Sequence, residues 1–158
     1  MPVTETGTMA WSDVERSLVG AQNYWVVTTG PDGMPQPTPV WAVWLDDRLW
    51  FSCGSETVKA RNIARQPRVA VHLESGDQPV VVRGIAEPIT TRDEPRIIAA
   101  MRAKYGPAAV PDSFAALAGL GFCVRPISVL SWSEFPSDVT HWDPPGPMHP
   151  PMAPAAGT

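Results

Sequence analysis

The hydrophobic positions of this chain alternate mostly with a period of two, which is typical of β-strands. Aromatic and β-branched runs predict six strands, over 23–29, 38–45, 48–52, 68–74, 80–89 and 122–135. Asp32-Gly33 and Asp46-Asp47 are turn signals between the first three strands. Strands that are linked this closely commonly close into a small barrel. We therefore predict a mainly β fold with flanking helices, built on a six-stranded antiparallel barrel.

Helices are predicted at four places between and around these strands. Ser12 and Thr91 each precede a glutamate by three positions, which is the spacing of a capping box. Ser55 is expected to cap a short helix, which Pro67 would end because proline disfavours helical backbone in the residue before it. A further short helix is expected over 111–120.

The distribution of proline divides the chain. Six of the 19 prolines fall within 143–158, where apolar periodicity is lacking. We predict one domain over 1–142, followed by a flexible tail over 143–158. Pro35, Pro37 and Pro39 precede or lie in the second strand, and they predict a sheet edge or a bulge because proline cannot donate to a strand ladder.

Composition and charge weigh against several classes of function. The chain has 12 basic and 16 acidic residues and a net charge of −4, which argues against a general nucleic-acid binder. No apolar run reaches the roughly 18 residues of a membrane span, and the N-terminus lacks a signal-peptide core, so a cytoplasmic location is expected. Cys53 and Cys123 are far apart, and no HxxxH or CxxC spacing accompanies them, so no metal site is predicted.

Positive charge is concentrated on the predicted helix after Ser55. The window 56–68 holds four basic residues and one acidic residue, whereas the rest of the chain is net negative. At about 3.6 residues per turn, Lys59, Asn62 and Arg65 form one polar stripe along this helix. Together with the free N–H groups at the helix start, such a stripe suits a phosphate or carboxylate group. A solvated basic face is the alternative interpretation.

The same segment carries a motif. Six residues follow the pattern K-x-x-N-[IL]-x-x-x-P-R-V: Lys59, Asn62, Ile63, Pro67, Arg68 and Val69. With the order of strands and turns around it, this pattern resembles the split-barrel flavin- and deazaflavin-dependent oxidoreductases, which include the pyridoxamine 5′-phosphate oxidase-like proteins. The resemblance covers roughly 11–135 and looks greater to the actinobacterial branch that uses the deazaflavin coenzyme F420. It implies an FMN-binding type of split barrel.

The resemblance also implies a cofactor site. In that branch the lysine and asparagine of the motif contact the phosphate and acidic tail of the cofactor, which suggests these roles for Lys59 and Asn62. Relatives commonly carry a basic residue two positions before the lysine, where this chain has Thr57, whose hydroxyl can still hydrogen-bond a phosphate. The ring would lie along the second and third strands, where the matching positions include Pro39, Val40, Trp41, Ser52 and Cys53. Ordinary packing of an edge strand is the alternative for Pro39 and Trp41.

The tryptophans and one histidine complete the candidates. Three tryptophans are expected in the core or at a dimer interface: Trp25, Trp44 and Trp50. Three others are candidates for lining a pocket for a planar substrate: Trp41, Trp132 and Trp142. His141 is a weak candidate for a proton donor, with an exposed histidine before the tail as the alternative.

These features predict an oxidoreductase that transfers a hydride between F420 and a small organic acceptor with an activated double bond. In such chemistry the cofactor supplies the reactive atom, and the protein supplies orientation and excludes water. The resemblance further implies a homodimer with sites at the subunit interface. Two alternatives stay open: an FMN-dependent enzyme similar to pyridoxamine-phosphate oxidase, and a non-catalytic protein that binds flavin, deazaflavin or heme.

Overall fold

The alternating pattern produces nine antiparallel strands and three α-helices in the computed structural model, which describes residues 4–109 and 121–144. The strands are β1 Thr4–Thr6, β2 Tyr24–Thr29, β3 Pro35–Val40, β4 Ala42–Leu45, β5 Arg48–Ser52, β6 Arg68–His72, β7 Val80–Pro88, β8 Gly121–Ser131 and β9 Thr140–Asp143. The helices are α1 Trp11–Gly20, α2 Val58–Arg65 and α3 Glu94–Tyr105. The predicted mainly β, antiparallel architecture is confirmed, although the count of six strands was too low.

The sheet divides at its longest strand, β8. One edge of β8 pairs with β7 along its length. Its other edge is shared, because β5 pairs with 121–124 and β9 pairs with 129–131. The main order is β1-β9-β8-β7-β6-β2-β3, and β4 extends the branch that begins with β5. The two branches therefore separate from β8 and leave the barrel split.

The β4–β5 branch has a core on each of its faces. The inward side chains of the branch are Ala42, Trp44, Leu49 and Phe51, and they share the barrel interior with Val14 and Leu18 of α1. The outward side chains of the branch are Val43 and Trp50, and they pack against Ile97 and Met101 of α3. Trp44 and Trp50 thus lie in the core as predicted, whereas Trp25 is half-buried and stacks on His72 with 6.2 Å between ring centroids.

The helices begin at other residues than the capping patterns predicted. The N-cap residues are Ala10 for α1 and Asp93 for α3, and neither makes a side-chain cap bond. The expected caps Ser12 and Thr91 are therefore wrong. Thr57 rather than Ser55 caps α2, and its Oγ1 accepts a backbone N–H of the first turn at 3.3 Å. The Thr57 hydroxyl also donates to the Gly54 carbonyl at 2.7 Å. This preceding turn occupies 54–57, which is why the helix starts later.

The second predicted strand is two strands that separate at Trp41. β3 pairs with β2, and β4 pairs with β5, so the chain passes from one branch to the other at this residue. β3 ends the strand order, which confirms the edge that its prolines predicted. β1 and β9 were not predicted, because three or four residues are too few to show a period.

Parts of the predicted organisation lie outside the described residues. These are the helix expected over 111–120 and most of the tail expected over 143–158. Asp143, the first residue of that tail, belongs to β9. Across the part of the chain that is described, no helix is long and apolar enough to cross a membrane.

Candidate functional site

The polar stripe on α2 meets the sheet at its centre. Asn62 is 1% exposed, and its Nδ2 donates to Thr28 Oγ1 at 3.0 Å and to Gln36 Oε1 at 3.1 Å. Its Oδ1 accepts from Arg65 Nη2 at 2.9 Å. Both amide protons are therefore used within the protein, and Asn62 links α2 to β2 and β3. The stripe is not a face open to solvent at this position, and a direct phosphate contact from Asn62 would require one of these bonds to break.

Lys59 lies one turn before Asn62 on α2. Its ammonium makes no hydrogen bond or ion pair with any residue that the structure describes. Asn62 and Arg65 contact successive positions of β2, so α2 runs in the same direction as β2 and opposite to β3. The turn that holds Lys59 therefore lies further along β3 than Asn62, on the side of Thr38 rather than Gln36.

Thr38 supplies a second polar group without a partner. Its Oγ1 is buried and has no hydrogen bond to the described residues. A buried polar group without a partner costs about 1–3 kcal/mol, so this hydroxyl favours a ligand or water beside it. Sequence reasoning missed Thr38, because threonine is ordinary in a strand. Its spacing of two from Gln36, which puts both side chains on one face, was the available signal.

The end of β5 meets the start of α2 at the same corner. Ser52 is half-buried at the last ladder position of β5, and Cys53 follows it, also half-buried. Burial raises the pKa of Cys53, and a hydrogen bond with Thr57 and the charge of Lys59 partly oppose the rise. The structure thus brings together four of the predicted cofactor-binding residues, namely Ser52, Cys53, Thr57 and Lys59. Thr57 already donates its proton to a backbone carbonyl at 2.7 Å, so its role is to fix the start of the helix.

The prolines determine what the free edge of β3 presents. Pro35, Pro37 and Pro39 stand opposite alternate residues of β2. Antiparallel ladders alternate hydrogen-bonded and non-hydrogen-bonded pairs, and proline has no N–H to exchange, so these three form the non-hydrogen-bonded pairs. The bond from the Gly30 N–H to the Met34 carbonyl at 2.8 Å agrees with this alternation. The three proline carbonyls therefore point away from β2, along an edge that has no N–H donor at these positions.

Three predicted ring contacts, at Pro39, Val40 and Trp41, differ in which of their groups remain accessible. Val40 takes a hydrogen-bonded position opposite Tyr24, and its side chain is 8% exposed in the core. Both its backbone and its side chain are thus engaged, so we correct the expectation that it contacts a ring. Pro39 keeps a free carbonyl, and Trp41 is 47% exposed.

The other predicted pocket residues are not brought together. Trp142 is fully buried in the barrel core with its ring centroid 5.7 Å from that of Trp11, so it cannot line an open pocket. The pairing of β9 with β1 and β8 places it there, and the sequence pattern did not reveal that pairing. Trp132 is half-buried and packs on Phe135 with 5.4 Å between centroids. His141 is exposed on β9, and no hydrogen bond or ring contact joins it to a described residue of the site.

A family model supplies the identification. The model described as pyridoxamine 5′-phosphate oxidase matches residues 13–132, a range that includes the whole corner around Lys59. The chain belongs to this family. No curated protein matches the sequence.

Solved structures show the same fold as this pyridoxamine 5′-phosphate oxidase family member. The conserved hypothetical protein Rv2991 from Mycobacterium tuberculosis is 24% identical with a TM-score of 0.64, covering 87% of this chain and 86% of that one. A protein titled F420 reductase is 27% identical with a TM-score of 0.58, covering 72% and 94%. A heme binding protein from Mycobacterium smegmatis is 16% identical with a TM-score of 0.67, covering 83% and 57%. The predicted split barrel is therefore confirmed.

Proposed function

We propose that this protein is an oxidoreductase that binds the deazaflavin coenzyme F420 and transfers a hydride between it and a small organic acceptor with an activated double bond. The observation that carries the proposal is one corner with two unsatisfied groups: the unpaired ammonium of Lys59, on the turn of α2 that lies on the Thr38 side of Asn62, and the buried, unpartnered hydroxyl of Thr38. The similarity to a protein titled F420 reductase supports F420 as the first choice of cofactor.

The corner around Lys59 fits a phosphate group. The ammonium supplies a full positive charge, and the hydroxyl of Thr38 supplies a donor that has no acceptor in the described part of the protein. The first turn of α2, held by the Thr57 cap, adds backbone N–H groups and the positive end of the helix dipole. Asn62 holds α2 on the sheet, so these three contributions belong to one helix and the strand beside it. The same groups would hold the phosphate of FMN, which is the alternative cofactor.

The free edge of β3 fits the polar edge of a flavin-like ring. The carbonyls of Pro37 and Pro39 point outward as acceptors, which suits the ring N–H between the two carbonyl groups of the pyrimidine portion. When bound, F420 supplies the ring carbon that accepts or donates the hydride. The chain holds the phosphate at Lys59 and aligns the ring along β3. The proton that accompanies the hydride can come from solvent.

The first experiment compares the binding of F420 and FMN to the wild type and to Lys59→Ala. Loss of a hydrogen bond to a charged group costs about 1.5–3 kcal/mol, so we expect the Kd of the wild type's cofactor to rise about 10- to 100-fold. Arg61→Ala is the matched control, because Arg61 is an exposed cation on another side of the same helix and makes no described ion pair. The proposal is wrong if the wild type binds neither cofactor, or if the two variants behave alike.

The second experiment separates an enzyme from a cofactor carrier. A carrier would bind reduced and oxidised cofactor without consuming an acceptor, whereas an enzyme would oxidise the reduced cofactor when an acceptor is added. We expect a screen of quinones and enones with reduced F420 to give turnover that Lys59→Ala diminishes. Tight binding without turnover on any acceptor would favour the carrier.

The outer face of the sheet suits a homodimer, which is part of the proposal. Alternate positions of β2, β3, β6 and β7 present partly exposed apolar side chains on this face: Trp25, Val27, Pro37, Pro39, Ala70, Val81 and Ile85. The exposed Arg68 and Arg83 stand among these apolar residues on the same face. A mixed face with this many apolar side chains favours association with another surface. We expect the wild type to be dimeric by light scattering and Val27→Asp to be monomeric. A monomeric wild type would contradict the assignment.

A further inference from the structure

Opposite charges occupy the two ends of the hairpin that β6 and β7 form. Arg68 and Arg83 are exposed toward one end, and Glu74 and Asp77 are exposed in the turn at the other end. None of these four side chains makes an ion pair or a hydrogen bond with a described residue. The hairpin therefore carries two positive and two negative side chains that the described part of the chain leaves unpaired.

The strand register places the two arginines side by side. Arg68 pairs with Ile85 and Arg83 pairs with Ala70, so the two arginines are diagonal neighbours on the outer face of the sheet. Diagonal neighbours on adjacent strands lie about 7–8 Å apart, a distance at which long side chains still interact. Two like charges at this spacing repel each other, so a negatively charged group beside them is favourable.

The acids of the same hairpin cannot supply that negative charge. Arg68 precedes Glu74 by six positions, and Asp77 precedes Arg83 by six positions. Six residues of extended strand span about 20 Å, whereas an ion pair needs its nitrogen and oxygen within about 4 Å. Both the arginine end and the acidic turn are therefore left for another molecule to neutralise.

The outer face between these two ends is aromatic and apolar. His72 stands opposite Val81, and its ring is stacked on that of Trp25 with 6.2 Å between centroids. All three side chains are half-buried. A partner that covers this central area also buries the charged ends beside it, and burying unpaired charges is costly. The partner must therefore present acids to the arginine end and bases to the acidic turn.

A second copy of the chain meets this requirement in one orientation. Sheets that pack face to face lie about 10 Å apart and keep their strands aligned to within about 30°, so the second hairpin runs either parallel or antiparallel to the first. In the parallel arrangement the arginines of the two copies face each other. In the antiparallel arrangement, centred on the level of His72 and Val81, each arginine end faces the acidic turn of the other copy.

We propose that two copies of this chain pack through their outer faces with antiparallel β6–β7 hairpins, so that Arg68 and Arg83 of each copy pair with Asp77 and Glu74 of the partner subunit. This inference rests on the homodimer of the proposed function, and it adds which residues pair and how the copies are oriented. A two-fold axis repeats every contact, so each dimer holds both pairs twice.

Two charge-reversed variants test this pairing. The basic-end variant carries Arg68→Glu and Arg83→Glu, and the acidic-end variant carries Glu74→Lys and Asp77→Lys. Like charges that face each other across an interface are strongly unfavourable, so we expect each variant alone to have a dimer dissociation constant about 100-fold above that of the wild type in sedimentation velocity.

An equimolar mixture of the two variants gives the decisive measurement. In a mixed dimer, the reversed basic end of one copy meets the reversed acidic end of the other, and the second contact keeps its native charges. We therefore expect the mixture to dimerise with a dissociation constant within about 10-fold of the wild type's, at concentrations where each variant alone is monomeric. Recovery that requires two different copies can come only from contacts between subunits.

The matched control is a variant with Arg61→Glu and Arg92→Glu. It makes the same change in net charge as the basic-end variant, at exposed arginines of α2 and of the turn before α3. We expect it to sediment like the wild type. All the substituted side chains are exposed, so thermal unfolding should show each variant to be folded.

The outcomes separate the pairing from the homodimer and from the cofactor. If either charge-reversed variant stays as dimeric as the control, the pairing is overturned and the homodimer stands. If both variants dissociate but their mixture stays monomeric, the antiparallel orientation is overturned. A monomeric wild type removes the homodimer and the pairing together, whereas the cofactor proposal is decided separately by Lys59→Ala.

Discussion

The buried amide of Asn62 makes the most direct test of how the site is assembled. Asn62→Ala removes three hydrogen bonds, to Thr28, Gln36 and Arg65. Only the first of these partners is fully buried, at 0% exposure, so its hydroxyl loses a partner that water cannot replace without entering the interface of α2 and β2.

The expected loss of stability follows from these exposures. An unsatisfied buried polar group costs about 1–3 kcal/mol, and each of the two more exposed bonds adds roughly 0.5 kcal/mol. The better helix propensity of alanine offsets roughly 0.5 kcal/mol. We therefore expect Asn62→Ala to lower the free energy of unfolding by about 2 kcal/mol, which corresponds to a fall in Tm of about 4–8 °C for a chain of this size.

Urea unfolding at neutral pH, followed by circular dichroism, measures this loss. Asn23→Ala is the matched control, because Asn23 is half-buried and its side chain makes no described hydrogen bond. A double-mutant cycle with Thr28→Val isolates the central bond, and we expect the double variant to lose about 1 kcal/mol less than the sum of the single losses. Additive losses, or an Asn62→Ala variant no less stable than Asn23→Ala, would refute the role as a link between α2 and the sheet.

The remaining predictions concern Gly84 of β7, the cap of α2 and the half-buried Lys104. Gly84→Ala should cost about 1–3 kcal/mol, because its Cβ would lie 2.5 Å from a backbone carbonyl, whereas Gly76→Ala, with nothing within 4 Å, should be nearly neutral in the same urea assay. Thr57→Ala should lower Tm through the loss of about 1 kcal/mol of capping, while Ser12→Ala should not, and equal effects would contradict the assigned cap. Burial lowers the pKa of Lys104 from 10.5 to about 8, so the unfolded chain binds this proton more tightly. Stability relative to Lys104→Met should therefore rise as pH increases from 8 to 10.5, and pH-dependent unfolding curves that run parallel would exclude this linkage.

Local patterns were sufficient for much of the fold. Alternation of apolar residues located most strands, and the prolines of β3 indicated an edge strand, because both features depend on a few adjacent residues. Helix starts were less well predicted. The capping-box spacing at Ser12 and Thr91 occurs without the cap, since a side chain caps only where the preceding backbone turns away from the helix axis.

By itself, the sequence determined the strand periods, the concentration of basic residues on α2 and the motif that contains Lys59 and Asn62. Only the tertiary structure decided that Asn62 faces the sheet while Lys59 stays unpaired. It also decided that Trp142 is buried, although Trp41 remains exposed. The reason is that local spacing fixes which residues share a face of a helix or strand, whereas the burial of that face depends on pairings between strands far apart in the chain.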